Sequence, residues 1–167
     1  MVPDCIFVVG VAGCGKTTIG RLLSEKIDAK FVDADDYHSC ENRQKMRNGI
    51  PLTDSDRYPW LEKLAEIVAE SSHPLVLACS ALKPEYRKIL SSKLPSTDAF
   101  IYLHLKVKRS ELEKRLKERK GHFVDERLLD SQLNTLSFEL DEINVCPVDA
   151  NGSIEQTVSS ALVALGC

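Results

Sequence analysis

The chain has 167 residues, of which 43% are apolar, 28% charged and 6% aromatic. Those values predict one globular domain over residues 1–167 and exclude a disordered, collagen-like or coiled-coil chain. Lysine and arginine number 22 against 25 aspartate and glutamate, a net charge of −3, which speaks against a nucleic-acid or anionic-membrane binder. The average hides a division: residues 106–120 carry 8 basic and 3 acidic side chains, whereas residues 121–167 carry 1 and 8. The longest apolar stretch, CIFVVGVAG at 5–13, falls well short of the roughly 20 residues a membrane span requires. The opening MVPD carries an acid where a secretory segment is positive. The six cysteines (Cys5, Cys14, Cys40, Cys79, Cys146, Cys167) show no CxxC or metal-ligand spacing, so reduced thiols in a cytoplasmic protein are expected. Cys5 and Cys79 lie in apolar runs and read as small buried hydrophobes.

In chain order, IFVV at 6–9 is the continuous apolar run of a strand covered on both faces. A glycine-rich turn follows, and then Ile19, Leu22, Leu23 and Ile27 recur at helical spacing. KFVD at 30–33 predicts a second strand. Residues 41–48 predict a helix stopped by Gly49. Ser55 or Asp56 is expected to cap the next helix, with Pro59 in its first turn and Trp60, Leu61, Leu64, Ile67 and Val68 on its buried face. LVLACS at 75–80 predicts a strand and residues 84–90 a helix; residues 99–105 predict a fourth strand. A charged helix from Ser110 to Lys120, stopped by Gly121, precedes an amphipathic segment at 126–136. A short strand at 145–148 and a helix from about Ile154, capped by Ser153 and ended by Gly166, complete the pattern. Strands alternating with helices imply an α/β fold with a parallel sheet and helices on both faces.

Residues 10–17, GVAGCGKT, match GxxxxGK[ST] in full, after an apolar strand and at the start of an amphipathic helix. Gly10, Val11, Ala12, Gly13, Cys14, Gly15, Lys16, Thr17 and Thr18 are therefore the candidate ATP-binding residues. Backbone N–H groups would cradle the phosphates at the positive end of the helix. Lys16 would reach the β- and γ-phosphates and Thr17 would offer its hydroxyl to Mg²⁺. The motif alone does not choose among GTPase, ATPase and kinase.

Large P-loop NTPases take a magnesium-linked aspartate from the end of a later apolar strand, but LVLACS ends without one. Acids appear instead after the second strand, in DADDYH. On an extended chain Asp33 and Asp35, at i and i+2, would face the same side, toward the mouth of the loop. One would act on the metal through water while the other accepts a proton from a substrate hydroxyl.

This arrangement resembles the small-metabolite kinases related to shikimate and adenylate kinases, and residues 33–60 resemble the gluconokinase family within them. The resemblance rests on the DxD-x-x-H segment and on Asn42, Lys45 and Met46. It continues through Gly49, Pro51 and Leu52, then Asp54, Asp56, Arg57, Pro59 and Trp60. Beyond these it runs through ACSALKPEYR at 78–87, RLKERKGHF at 115–123 and LLDSQL at 128–133. Departures are Cys14 and Thr17 where many members have serine, Ala34 for a common glycine, Val124-Asp125 where Met-Pro is frequent, and no proline in SFELDE at 137–142. The resemblance implies a three-layer P-loop kinase fold of about five strands with a short helical lid at about 108–136. It also implies ATP-dependent phosphorylation of D-gluconate at the 6-hydroxyl, Mg²⁺ as cofactor and a homodimer. Alternatives are a kinase for another small polyol acid or a nucleoside monophosphate, or a non-catalytic ATP-binding module.

On this reading the catalytic residues are Asp35, Lys16 and Arg119. Asp35 orients and deprotonates the hydroxyl, and Asp33 acts on the magnesium shell. Arg57 is the leading candidate for the substrate carboxylate, because guanidinium grips it by two parallel hydrogen bonds. Ser80 sits at the carboxyl end of a core strand, where open α/β sheets place ligands; Lys83, Arg87, His38 and His122 complete the substrate-binding candidates. Arg115 and Arg119, four residues apart and hence on one helix face, are the expected ATP-binding cations of the lid.

Overall fold

The computed structural model describes residues 1–72, 74–119 and 126–167. Five strands, β1 (Cys5–Val9), β2 (Lys30–Asp33), β3 (Leu75–Ala78), β4 (Phe100–Lys106) and β5 (Val145–Asp149), form one parallel sheet in the order β2-β3-β1-β4-β5. The helices are α1 (Lys16–Lys26), α2 (Cys40–Arg47), α3 (Asp54–Glu70), α4 (Pro84–Ser91), α5 (Arg109–Glu118), α6 (Glu126–Thr135) and α7 (Ile154–Ala164).

Strand β1 lies at the centre and is buried throughout, because side chains alternate faces and both faces are covered. Ile6 and Val8 pack with Ile19 and Leu23 of α1, Leu112 of α5 and Val158 of α7. Phe7 and Val9 pack on the opposite face with Leu61 and Leu64 of α3 and Leu90 of α4. Phe7 also stacks on Tyr102 of β4 at 4.5 Å between ring centroids. The sheet thus brings the carboxyl ends of β1, β2 and β3 to one edge, and the loops that follow them build the site.

Local chemistry moves several boundaries from their expected places. Helix α3 is capped by Thr53, not by Ser55 or Asp56. The Thr53 hydroxyl accepts the Asp56 N–H at 3.1 Å while the Asp56 carboxylate accepts the Thr53 N–H at 2.9 Å, a reciprocal capping box. Pro59 consequently falls in the second turn. Helix α5 ends at Glu118, and Arg119 is already extended at φ −77°, ψ 102°. Continuing the helix would set Arg115 and Arg119 as a like-charge i,i+4 pair, which is unfavourable. Gly121, expected to stop it, lies outside the described residues.

Arg87 is placed differently from its expected role at the substrate. Its side chain is 1% exposed. Nε and Nη2 donate to the Glu142 carboxylate at 2.5 and 2.9 Å, Nη1 to the Ala81 carbonyl at 2.6 Å and Nη2 also to the Ser137 carbonyl at 2.6 Å. The guanidinium further lies 4.3 Å from the Phe138 ring centroid. Arg87 is therefore a strut that ties residues 137–142 to the β3–α4 loop, and the burial that makes it a good strut removes it from solute. Removing one partner of such a buried pair costs about 3–5 kcal/mol. Arg87→Met is expected to lower the thermal midpoint by on the order of 10 °C in a calorimetric scan, while the Michaelis constants of the surviving folded fraction stay close to those of the parent.

Candidate active site

The loop from Gly10 to Gly15 turns tightly enough to point its amides inward because of its glycines. Gly15 is left-handed at φ 100°, ψ 18° and forms the N-cap of α1, a conformation a Cβ would strain. A Cβ at Gly10 would come 2.7 Å from the Cys14 sulfur. Lys16 Nζ donates to the Val11 carbonyl at 3.0 Å, so the ammonium rests over the loop. The Arg115 guanidinium braces the loop from α5: Nη1 reaches the Cys14 carbonyl at 3.4 Å, Nη2 the Ala150 carbonyl at 2.6 Å and Nε the Glu111 carboxylate at 3.1 Å. Arg115 thus lies beside the loop, whereas Arg119 is exposed beyond the helix end.

Asp33 joins this loop to the acidic segment. Its Oδ2 accepts the Thr17 hydroxyl at 3.0 Å and its Oδ1 accepts the Asp35 N–H at 3.0 Å. The sequence expectation of an extended Asp-x-Asp is corrected here: Asp33 caps a single 3-10 turn, Ala34–Tyr37. The turn, not strand alternation, brings the two carboxylates together, since a short acidic side chain at the end of a strand readily caps the amide two residues on. Other elements hold the turn. Trp60 Nε1 donates to the Ala34 carbonyl at 2.8 Å, and Arg43 donates to the Asp36 carbonyl at 2.6 Å and the His38 carbonyl at 3.2 Å.

The Asp35 carboxyl is held above the ordinary carboxylate range. Desolvation by the surrounding protein is the largest cause, repulsion from Asp33 and Asp36 adds to it, and Lys16 opposes it. The side chain still opens to solvent, which screens these charges and leaves the carboxyl accessible to a solute. His38 is 8% exposed and stacks on Trp60 with centroids 4.0 Å apart. Its Nδ1 lies 3.5 Å from the Asn42 amide nitrogen. Burial, then the charges of Arg43 and Arg57, push the His38 pKa down to about 4.

Arg57 and Lys83 converge on Tyr86, a residue that pattern reading missed. Their cationic groups lie 5.6 and 5.5 Å from its ring centroid. The Tyr86 hydroxyl donates to Asp54 at 2.5 Å, and both Arg57 and Lys83 stand 3.7 Å from the Asp54 carboxylate. Burial and the bond to Asp54 push the Tyr86 pKa up to about 12. The only cue in the sequence was the tyrosine of KPEYR, which has no charge or spacing to mark it. Ser80 accepts the Gly10 N–H through its carbonyl at 3.3 Å and so lies against the first turn of the phosphate loop. His122 lies outside the described residues. A second feature that pattern reading missed is Gln132 of α6, whose Oε1 accepts the Ala12 N–H at 2.6 Å.

A phosphate loop at the end of the central strand, faced by an acidic turn from the neighbouring β–α connection, defines a P-loop kinase. The shikimate kinase family model matches residues 12–164. A mouse protein named probable gluconokinase is 39% identical, with 98% of each chain covered. The gluconokinase of Arabidopsis thaliana is 41% identical over 78% of this chain and 76% of that one. The crystal structure of a gluconokinase from Sinorhizobium meliloti 1021 superposes with a TM-score of 0.88 at 38% identity, covering 99% of this chain and 93% of that one. Within the shikimate kinase-like P-loop kinases, the chain belongs to the gluconokinase family.

Two outcomes follow from the titrating groups. A raised carboxyl pKa means that the folded state disfavours the Asp35 charge, a cost absent at low pH and present once pH rises above the folded value. Asp35→Asn is therefore expected to raise the melting temperature slightly at neutral pH while lowering turnover by about 10²–10⁴-fold. His38 and His104 both have pKa values lowered to about 4 from 6.5. Depressed histidines add stability that is fully present above about 6.5 and lost as pH falls toward 4. Chemical denaturation at stepped pH is expected to show that decline, and His38→Gln is expected to make it shallower.

Proposed function

We propose that the protein transfers the γ-phosphoryl group of ATP to the 6-hydroxyl of D-gluconate, giving ADP and 6-phospho-D-gluconate. The observation that carries this reading is the Asp33 junction, which sets a carboxylate acceptor, Asp35, beside a phosphate loop. The family membership supports the choice of acceptor.

Phosphoryl transfer asks the protein mainly for alignment and for positive charge around the transferred group. The loop amides, the N-terminus of α1 and Lys16 supply that charge at the phosphates. Asp35 accepts the proton of the attacking hydroxyl, and its raised pKa brings it nearer to that task than an ordinary aspartate. Arg57 and Lys83 grip the substrate carboxylate. Both are partly exposed and only loosely paired with Asp54 at 3.7 Å, and such pairs are worth about 0–1 kcal/mol, so a bound carboxylate displaces Asp54 at small cost. Ser80 and His122 serve the substrate hydroxyls, and Arg115 and Arg119 the ATP phosphates. His38 acts through its stack on Trp60 to keep the Asp35 turn in place.

Thr17 and Asp33 present a hydroxyl and a carboxylate that already touch at 3.0 Å, a hard oxygen pair that fits a hydrated Mg²⁺ held jointly with nucleotide phosphates. Such an ion, when bound, would neutralise charge on the β- and γ-phosphate oxygens. Among the described residues no helix is long and apolar enough to cross a membrane and the six cysteines are free thiols; we place the enzyme in the cytoplasm.

A coupled assay of ADP formation with gluconate, shikimate, glycerate and AMP as acceptors is expected to show turnover with gluconate far above the others. AMP preferred over every sugar acid would remove the gluconate assignment, and tight ATP binding without transfer to any acceptor would remove the enzymatic one. Arg57→Ala is expected to raise the KM for gluconate by about 10- to 100-fold, the worth of a charge-assisted hydrogen bond, with the KM for ATP within twofold of the parent.

A further inference from the structure

The peptide joining Val11 to Ala12 is held at both ends of its dipole. Its carbonyl accepts Lys16 Nζ at 3.0 Å and its N–H donates to Gln132 Oε1 at 2.6 Å. Gln132 is 120 positions away along the chain and reaches the loop from α6, a helix fixed on both sides. Leu129 of α6 is fully buried, and Asp130 is paired with Arg109 of α5. Just past the helix, Ser137 N–H donates to the Leu82 carbonyl at 2.9 Å while the Ser137 carbonyl accepts Arg87. The carboxamide is therefore delivered to Ala12 by a well-braced element.

Two hydrogen bonds on one peptide reinforce each other, because an acceptor on the N–H makes the carbonyl a better acceptor in turn. A neutral amide suits the place: a carboxylate would compete for Lys16 and repel phosphate at close range. We propose that Gln132 is a positioning residue for Lys16. By holding the Ala12 N–H it fixes the orientation of the Val11–Ala12 peptide, and with it the rest position from which the ammonium meets the ATP phosphates. This rests on the reading of residues 10–17 as the ATP site.

The test compares Gln132→Met, which keeps the length and loses the acceptor, and the shorter apolar Gln132→Leu, with Gln132→Glu, which keeps the acceptor and adds charge. For Leu and Met the KM for ATP is expected to rise about tenfold, the worth of one hydrogen bond, with the KM for gluconate within twofold. The nucleotide-free melting temperature should stay within about 3 °C, since Gln132 is only half-buried and a single neutral hydrogen bond is worth about 1 kcal/mol. The Ala12 amide proton should move upfield and exchange faster. Gln132→Glu should weaken ATP further still, with the melting temperature retained. Unchanged ATP constants in both Leu and Met variants would overturn the proposal, as would lost stability with ATP constants intact. If neither variant folds, exchange of the wild-type Ala12 amide decides: protection supports the tie, and a free-peptide rate overturns it. Calorimetric titration of the wild type with ADP separates the two readings, because absence of binding there removes the ATP site itself.

Discussion

The Asp33 carboxylate is the joint on which the site depends. One oxygen takes the Thr17 hydroxyl and the other the Asp35 amide, so the phosphate loop and the acidic turn are fixed to each other before any solute arrives. The sheet makes this possible: Asp33 ends β2 in register with Ala78 of β3, and β3 pairs directly with β1, from which the phosphate loop departs. Positioning of reacting groups is worth several kcal/mol in a transfer reaction. A carboxylate with two satisfied acceptors at the end of a paired strand supplies it without a mobile part.

The turn that carries Asp35 is held largely through its backbone. Trp60 holds one carbonyl, Arg43 another, and Asp33 the amide. This leaves the Asp35 carboxylate itself uncommitted among the described residues, which suits the role of proton acceptor proposed for it. The same logic explains why its neighbours raise its pKa: three acids within four residues are a poor arrangement for stability and a good one for a base. The unfavourable charge is tolerated because the core of α3 and β1, which has no polar role, holds the scaffold.

The strands and helices were legible because burial on two faces leaves a continuous apolar run, as in β1 and β3, and because Ser153 and the glycines mark helix ends. The phosphate loop was legible for the same local reason, since tight turns and close approach to phosphate need glycine at fixed offsets. What the pattern could not show was the fate of side chains whose partners are distant in sequence. Arg87 read as a substrate cation because its chemistry fits one; only the fold brings Glu142 and Ser137 against it. Gln132 and Tyr86 carry no charge, and although both lie in segments that carry the family resemblance, nothing in their chemistry said which partner each would meet. The 3-10 turn at Ala34 left a cue in Asp33, since aspartate favours caps and turns over strands, but the i, i+2 spacing of the two carboxylates also fits an extended chain.

The basic run at 106–120 shows how little a charge count says about a surface field. Arg109 is matched by Glu113 and by Asp130 of α6, the latter drawn from the acidic part of the chain. Arg115 is matched by Glu111 and turned inward onto the carbonyls of Cys14 and Ala150. Arg119, by contrast, is exposed and pairs with no carboxylate among the described residues. A cation satisfied by backbone carbonyls cannot leave without exposing them, so Arg115 holds the loop in place while carrying its charge beside it. An unpaired one is not held in this way, and among the described residues Arg119 is the one of these three with no carboxylate or carbonyl partner to give up. The functional division of the run thus follows from what each guanidinium already holds, and not from its spacing along the helix.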